Sequence, residues 1–202
     1  MHGTPPNHVL LRGLALWGVV AVVAVLLRGL RWDESYEHAQ IIAGLVPYPA
    51  GHPQAIYAHN AFTVQSGLSA LLLHCGAGAW GVALWRNALF LFATVAPPYL
   101  LTAMLCRRAW PGHLAALLTL QGVFLSFDGP YPMMVWPETY TNGHIGGGFA
   151  LVALGLLAGG QVRAGALLFG LLPAVHLGQW PVLLGWMLCA AAWCLWRREW
   201  AT

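Results

Sequence analysis

Three of the chain's six carboxylates, Asp33, Glu34 and Glu37, crowd into one short polar stretch, residues 31–53, which also carries His38 and His52. The stretch follows directly on the first long apolar run. A carboxylate held at the edge of a membrane is partly desolvated, which raises its pKa and makes it a better base. Such a group can deprotonate an acceptor hydroxyl, or hold a divalent cation against a phosphate. Adjacent acids also have a plain structural use. Asp33 can cap a short helix, and Glu34 can pair with Arg31 or Arg28.

A second polar segment, residues 128–148, holds Asp128, Glu138 and His144 with three prolines and a glycine cluster. These groups could complete a site with the first segment, or simply cap and turn a solvated loop. Gly146, Gly147 and Gly148 do not form a phosphate loop, because no GxxxxGK[ST] is present. The nine histidines include no HExxH and no pair at ligand spacing within one span, so histidine ligation of a metal or haem is not expected. His74, in an apolar run, reads as a hydrogen-bonded core residue. Cys75, Cys106, Cys189 and Cys194 show no metal spacing and read as small packing residues.

The elements that must position these groups are set by composition. The chain is 59% hydrophobic and 7% charged, where water-soluble domains carry about 25% charged residues. So few charges cannot build a water-facing surface, and the expected solvent is lipid. The fold expected is an all-α polytopic bundle of about six transmembrane helices, forming one integral membrane domain over residues 1–202. Candidate spans cover residues 9–27, 88–106, 113–127, 149–161, 164–177 and 182–196. Pro97 and Pro98 should kink the second. No A-x-A-like site follows the first, so it reads as a retained helix rather than a signal peptide. The first outer loop, about residues 31–86, should contain interfacial helices. One is a short helix to about Leu45 with Ile41, Ile42 and Leu45 against the membrane. The other, residues 55–75, reads as an amphipathic helix lying in the interface. The second outer loop covers about residues 128–148.

All nine formal positive charges are Arg. With the N-terminus inside and residues 55–75 interfacial, Arg12, Arg107, Arg108, Arg163, Arg197 and Arg198 fall on the cytoplasmic side. Arg28, Arg31 and Arg86 fall outside, which satisfies the positive-inside tendency. Both termini are then cytoplasmic, and five of the six carboxylates gather on the outer face. No basic stripe with interleaved aromatics is present, so nucleic acid is not an expected partner. The eleven Trp suit interfacial belts.

This order of features resembles a known family. An N-inside helix ends in Asp33-Glu34. A short helix with Tyr36 follows, then a Pro-rich loop with His52-Pro53. Leu73-His74-Cys75-Gly76 makes a turn, Arg86 opens the next span and an arginine pair closes it. The pattern is similar to the opening of the GT-C membrane glycosyltransferases, including protein O-mannosyltransferases and the bacterial lipid A aminoarabinose transferase. The resemblance covers about residues 9–112, and the rest more loosely. It implies Asp33 as the catalytic acid-base residue, with Glu34 as its neighbour. It also implies a polyprenyl-phosphate-linked sugar donor and a bacterial inner (cytoplasmic) membrane. The position of Arg86 suggests that it faces the lipid phosphate, with His52 and Glu138 as further substrate contacts and a divalent cation as a candidate cofactor. Six spans are fewer than the family usually has.

A second class of function competes with the enzyme. Small size, many Gly and Ala, and abundant Trp also suit a non-catalytic membrane subunit packed against partners in a larger complex. A transporter is disfavoured, because ionisable residues within the spans are scarce.

Overall fold

The computed structural model describes residues 5–30, 35–49, 51–60, 63–124 and 142–176, with scattered helical positions between 181 and 192. Every regular element among these residues is α-helical: α1 (Asn7–Arg28), α2 (Ser35–Ile42), α3 (Pro53–Asn60), α4 (Val64–His74), α5 (Gly78–Leu105), α6 (Ala109–Phe124), α7 (Asn142–Ala158) and α8 (Val162–Val175). Two of them, α1 and α5, are long and apolar enough to cross a membrane; α7 and α8 are shorter apolar helices.

The bundle is built around α5. Helix α1 lies antiparallel to it, with Leu10 near Tyr99 at one end and Leu30 near Leu84 and Leu91 at the other. Helix α6 returns antiparallel from the tight connection at 106–108, and α7 runs parallel to α5. Helix α8 turns back along α7, with Leu172 against Ala150. The helices approach at backbone distance. A methyl group at Gly112 would run into the Tyr99 carbonyl, and one at Gly148 into the Ala93 carbonyl. The Ala93 carbonyl is special, because its helical partner four residues on is Pro97, which has no N–H to give. Gly148 lets α7 close over that freed oxygen, where a Cα–H contact can partly compensate it.

This arrangement gives the bundle two ends. Arg12, Arg107, Arg108 and Arg163 lie at the end that holds the N-terminus of α1 and the C-terminus of α5. Helices α2 to α4, the N-termini of α5 and α7 and the C-terminus of α8 gather at the other, with α2 and α4 packed on each other and on α5.

Four helices, α2, α4, α5 and α7, end in the same pair of backbone hydrogen bonds, a 5→2 bond and a 6→1 bond around a left-handed residue. In three of them that residue is glycine: Gly44, Gly76 and Gly160. At the end of α5 it is Arg107, with φ 55°, a conformation that costs an L-residue about 1 kcal/mol or more.

Several boundaries differ from those read in the sequence. Helix α5 starts at Gly78 rather than near Ala88, and α7 at Asn142 rather than Phe149. Both helices therefore begin earlier than expected, taking in residues assigned to the preceding loops. Apolar counting stops at polar side chains, but the helical backbone continues through them when they turn inward. Residues 55–75 form two helices instead of one, because Thr63 caps α4 by accepting from the Ser66 amide at 3.3 Å. Ile41 is buried against the bundle, not laid on a membrane. His74, Cys75, Cys106 and Cys189 are exposed rather than packed, since the first three sit at or just past helix C-termini. The last expected span, residues 182–196, lies largely outside the described residues.

Replacing Gly148 by Val should destabilise the bundle by about 1–3 kcal/mol through overpacking on Ala93. Gly147, which has nothing near its missing methyl, should accept Ala with no loss, and thermal unfolding in detergent checks the pair.

Candidate functional site

The polar groups of α4 and of the middle of α5 face inward. Helix α4 buries Gln65, Ser66 and Ser69 and exposes Leu68 and Leu71. Helix α5 buries Arg86, Asn87 and Thr94, with Arg86 only 2% exposed. The outward faces carry large apolar side chains instead, such as Val19 at 62% and Leu27 at 80% exposed. This is the reverse of a helix facing water, and it is what an apolar surrounding selects, because there every polar group needs an internal partner.

The inward groups form a polar layer at one end of the bundle. Arg86, Phe90 and Thr94 follow one another at four-residue spacing along the buried face of α5. Thr94 donates to the Phe90 carbonyl at 2.9 Å and lies 2.9 Å from His144 Nε2. A hydroxyl has one proton, so with that proton on Phe90 the imidazole Nε2–H must be the donor to Thr94. The remaining lone pair of a neutral ring is then on Nδ1. The Phe90 ring packs on His144 with centroids 4.7 Å apart. Across the layer, Gln65 donates to the Val175 carbonyl at 2.9 Å, tying α4 to the end of α8. Ser69 and Asn87 each donate back to the carbonyl four residues earlier, at 2.7 Å.

A second cluster lies at the same end, nearer the surface. Tyr48 donates to Glu37 Oε1 at 2.6 Å, and its ring stands 4.8 Å from that of His52. His52 Nδ1 accepts from the Gln54 amide at 3.3 Å, which leaves Nε2 as the protonated nitrogen of the neutral ring. The first turn of α2, the proline-rich loop and the start of α3 are thus joined through one phenol. The Glu37 carboxylate holds the Tyr48 proton, which raises the phenol above its ordinary pKa of 10.0.

Of the residues singled out in the sequence, His52 sits in this outer cluster and Arg86 in the buried layer. Arg86 does not open a span as expected. It lies inside α5, more than two turns from its start. Asp33, Glu34, Asp128 and Glu138 lie outside the described residues, as does Arg31. Glu37 is the one carboxylate among the described residues, and no group of three or more metal-ligating side chains is found among them. Sequence reading missed Tyr48 and Thr94. Tyr48 carried a usable signal, since it stands between Pro47 and Pro49 and four residues before His52. Thr94 carried none, because one hydroxyl in an apolar run reads as packing.

Chemically, the buried layer offers a guanidinium that stays charged at any accessible pH and an imidazole able to accept or release a proton. A guanidinium in such surroundings is suited to phosphate or carboxylate. The outer cluster offers hydroxyl, imidazole and carboxylate groups of the kind that recognise sugars or other polyols. No family model, curated protein or solved structure matches the chain.

Two measurements test this geometry. The Glu37→Gln variant should lower the Tyr48 titration midpoint towards 10, seen by absorbance difference titration and assigned with Tyr48→Phe. The folded-state pKa of Tyr48 is raised, so the stabilisation from this bond is present below pH 10 and lost as pH rises through the folded value. Separately, Thr94→Val should destabilise the fold by about 0.5–1.5 kcal/mol by removing its hydrogen bonds with His144 and the Phe90 carbonyl.

Proposed function

We propose that the chain is an integral membrane protein of about six spans with both termini in the cytoplasm. In this reading it is a GT-C-like glycosyltransferase that uses a polyprenyl-phosphate-linked sugar at the outer face. The observation that carries the reading is Arg86, a guanidinium buried in a polar layer at the end of the bundle where α1 finishes and α2 begins. In the sequence, Asp33 stands between those two helices. The grouping of Arg12, Arg107, Arg108 and Arg163 at the opposite end supports the orientation through the positive-inside tendency.

In this reading Asp33 takes the proton from an acceptor hydroxyl, whose oxygen attacks the anomeric carbon. The bond from that carbon to the phosphate oxygen breaks, and the polyprenyl phosphate leaves with the bonding pair. Arg86 stabilises the charge that develops on it. A divalent cation held by Asp33 and Glu34 is a candidate for the same task. His52, Glu34 and Glu138 bind the sugar or the acceptor.

The competing reading is a non-catalytic subunit of a membrane complex. Some of the glycines that would favour close contact with a partner are engaged within the chain, Gly13 against Tyr99, Gly148 against Ala93 and Gly155 against Leu100, while Gly147 and Gly170 have open space beside them.

The test uses purified protein in lipid nanodiscs. Polyprenyl phosphate binding, followed by quenching of tryptophan fluorescence, should weaken by about tenfold or more in Arg86→Gln. Asp33→Asn should keep that binding and lose sugar transfer by about 100-fold or more. Unchanged binding in the first variant, or unchanged transfer in the second, contradicts the assignment.

A further inference from the structure

The phosphate assigned to Arg86 cannot reach it in this conformation. A phosphate pairs with a guanidinium at about 3 Å, and Arg86 is 2% exposed. Some element must therefore move, and the path of α4 shows which. Helix α4 starts beside the end of α8, where Gln65 donates to the Val175 carbonyl at 2.9 Å. It ends at the tight turn into α5. Helix α8 packs on α7, and α7 on α5, so α4 runs across the outer end of all three. Its 11 residues cover about 16 Å, close to two helix spacings of about 8–10 Å. Val175 sits against the Phe90–Ile145 cluster, and Phe90 stands one turn from Arg86 on α5. Gln65 is thus fastened beside the polar layer.

The strap is suited to lifting. Its inward face carries Gln65, Ser66, Ser69 and Ala70, all buried, so little apolar surface of α4 is uncovered when it leaves the bundle. Its large apolar side chains, Leu68 and Leu71, are already exposed on the other face. Helix α2 packs on α4, and α3 on α2, so the three helices move as one cap. Both tethers of the cap carry left-handed glycine: Gly29 (φ 92°) after α1, and Gly76 (φ 82°) and Gly78 (φ 63°) before α5. Nothing lies within 4 Å of the missing methyl at any of the three, so the tethers can turn without losing contacts. Where the strap lands, His176 Nδ1 is buried with no hydrogen-bond partner among the described residues. Closure leaves that atom unsatisfied and opening gives it water, which lowers the free energy needed to open.

We infer that α2, α3 and α4 form a hinged cap, latched by Gln65 on the Val175 carbonyl, whose opening admits the lipid phosphate to Arg86. The inference rests on the donor-binding role proposed for Arg86 and adds the step that controls access to it. The phosphate meets Arg86 only in the open form, so its association rate scales with the open fraction. Loss of one neutral hydrogen bond changes that fraction about two- to tenfold.

The test uses the full chain in lipid nanodiscs with two spin labels, one at His59→Cys, an exposed position on α3, and one at native Cys106, exposed beyond the far end of α5. Cys75, Cys189 and Cys194 are replaced by Ser. Double electron–electron resonance reads the distance between the labels, which lengthens when the cap lifts. Gln65→Leu keeps the bulk of the side chain but cannot donate. It should enlarge the long-distance population about two- to tenfold, and polyprenyl phosphate should associate faster by the same factor in stopped-flow tryptophan quenching. In the parent, saturating polyprenyl phosphate should make the long distance the main one, a result that needs no change at the latch. Distances that stay fixed while the parent binds lipid overturn the inference. So does a Gln65→Leu variant in which distance and association rate do not change together. Failure of the donor-binding reading is distinguishable: neither protein then binds polyprenyl phosphate, whereas a failed cap leaves binding intact.

Discussion

The structure depends on the burial of polar groups inside a bundle whose outer surface is apolar. Helix α5 is the clearest case. Its buried face carries Arg86, Asn87 and Thr94, and each needs a partner within the protein because burial removes it from solvent. Thr94 meets the need twice, giving its proton to the Phe90 carbonyl and taking one from His144. Gln65 meets it by reaching from α4 to the last turn of α8. These bonds fix which helices are neighbours at the polar end, whereas apolar contact alone would permit many packings.

Close backbone approach does the same work further along the bundle. Pro97 removes one amide from the α5 ladder, and Gly148 brings α7 onto the carbonyl so released. At the other end, Tyr99 reaches the Val9 carbonyl at 3.4 Å and packs its ring 4.8 Å from that of His113. The outcome is a molecule with different chemistry at its two ends. One end gathers hydroxyl, imidazole, amide and guanidinium groups around a buried cation. The other gathers exposed arginines and tryptophan on an apolar rim.

The sequence made some of this legible. Helix α1 was plain, since a run of Val, Leu and Ala stands between Pro5-Pro6 and Arg28-Gly29. The existence and order of most other helices followed from apolar runs and arginine stops. The start of α5 was not legible, because Trp85-Arg86-Asn87 looks like an interfacial boundary until those side chains are seen to turn inward. Helix α4 was misread for the same reason, as its polar residues face the protein and its leucines face out. Arg107 was legible only as a topological marker, since nothing in an arginine pair announces a left-handed backbone. At the site, His52 was found but its partner Tyr48 was not, because the contact closes a loop of proline turns that a linear reading cannot fold. Asp33, on which the proposed chemistry turns, is known only from the sequence.

The central claim is that α5 crosses a membrane with its polar end outward. Two native cysteines sit at its opposite ends and are exposed, Cys75 just before it and Cys106 just after it. At about 1.5 Å per residue the helix between them is roughly 42 Å long, enough to pass through a bilayer core. The most direct measurement is labelling of single-cysteine variants in intact cells with a membrane-impermeant maleimide. The account predicts that Cys75 reacts before permeabilisation and Cys106 only after it. Reaction of Cys106 in intact cells, or protection of Cys75 until lysis, would contradict it.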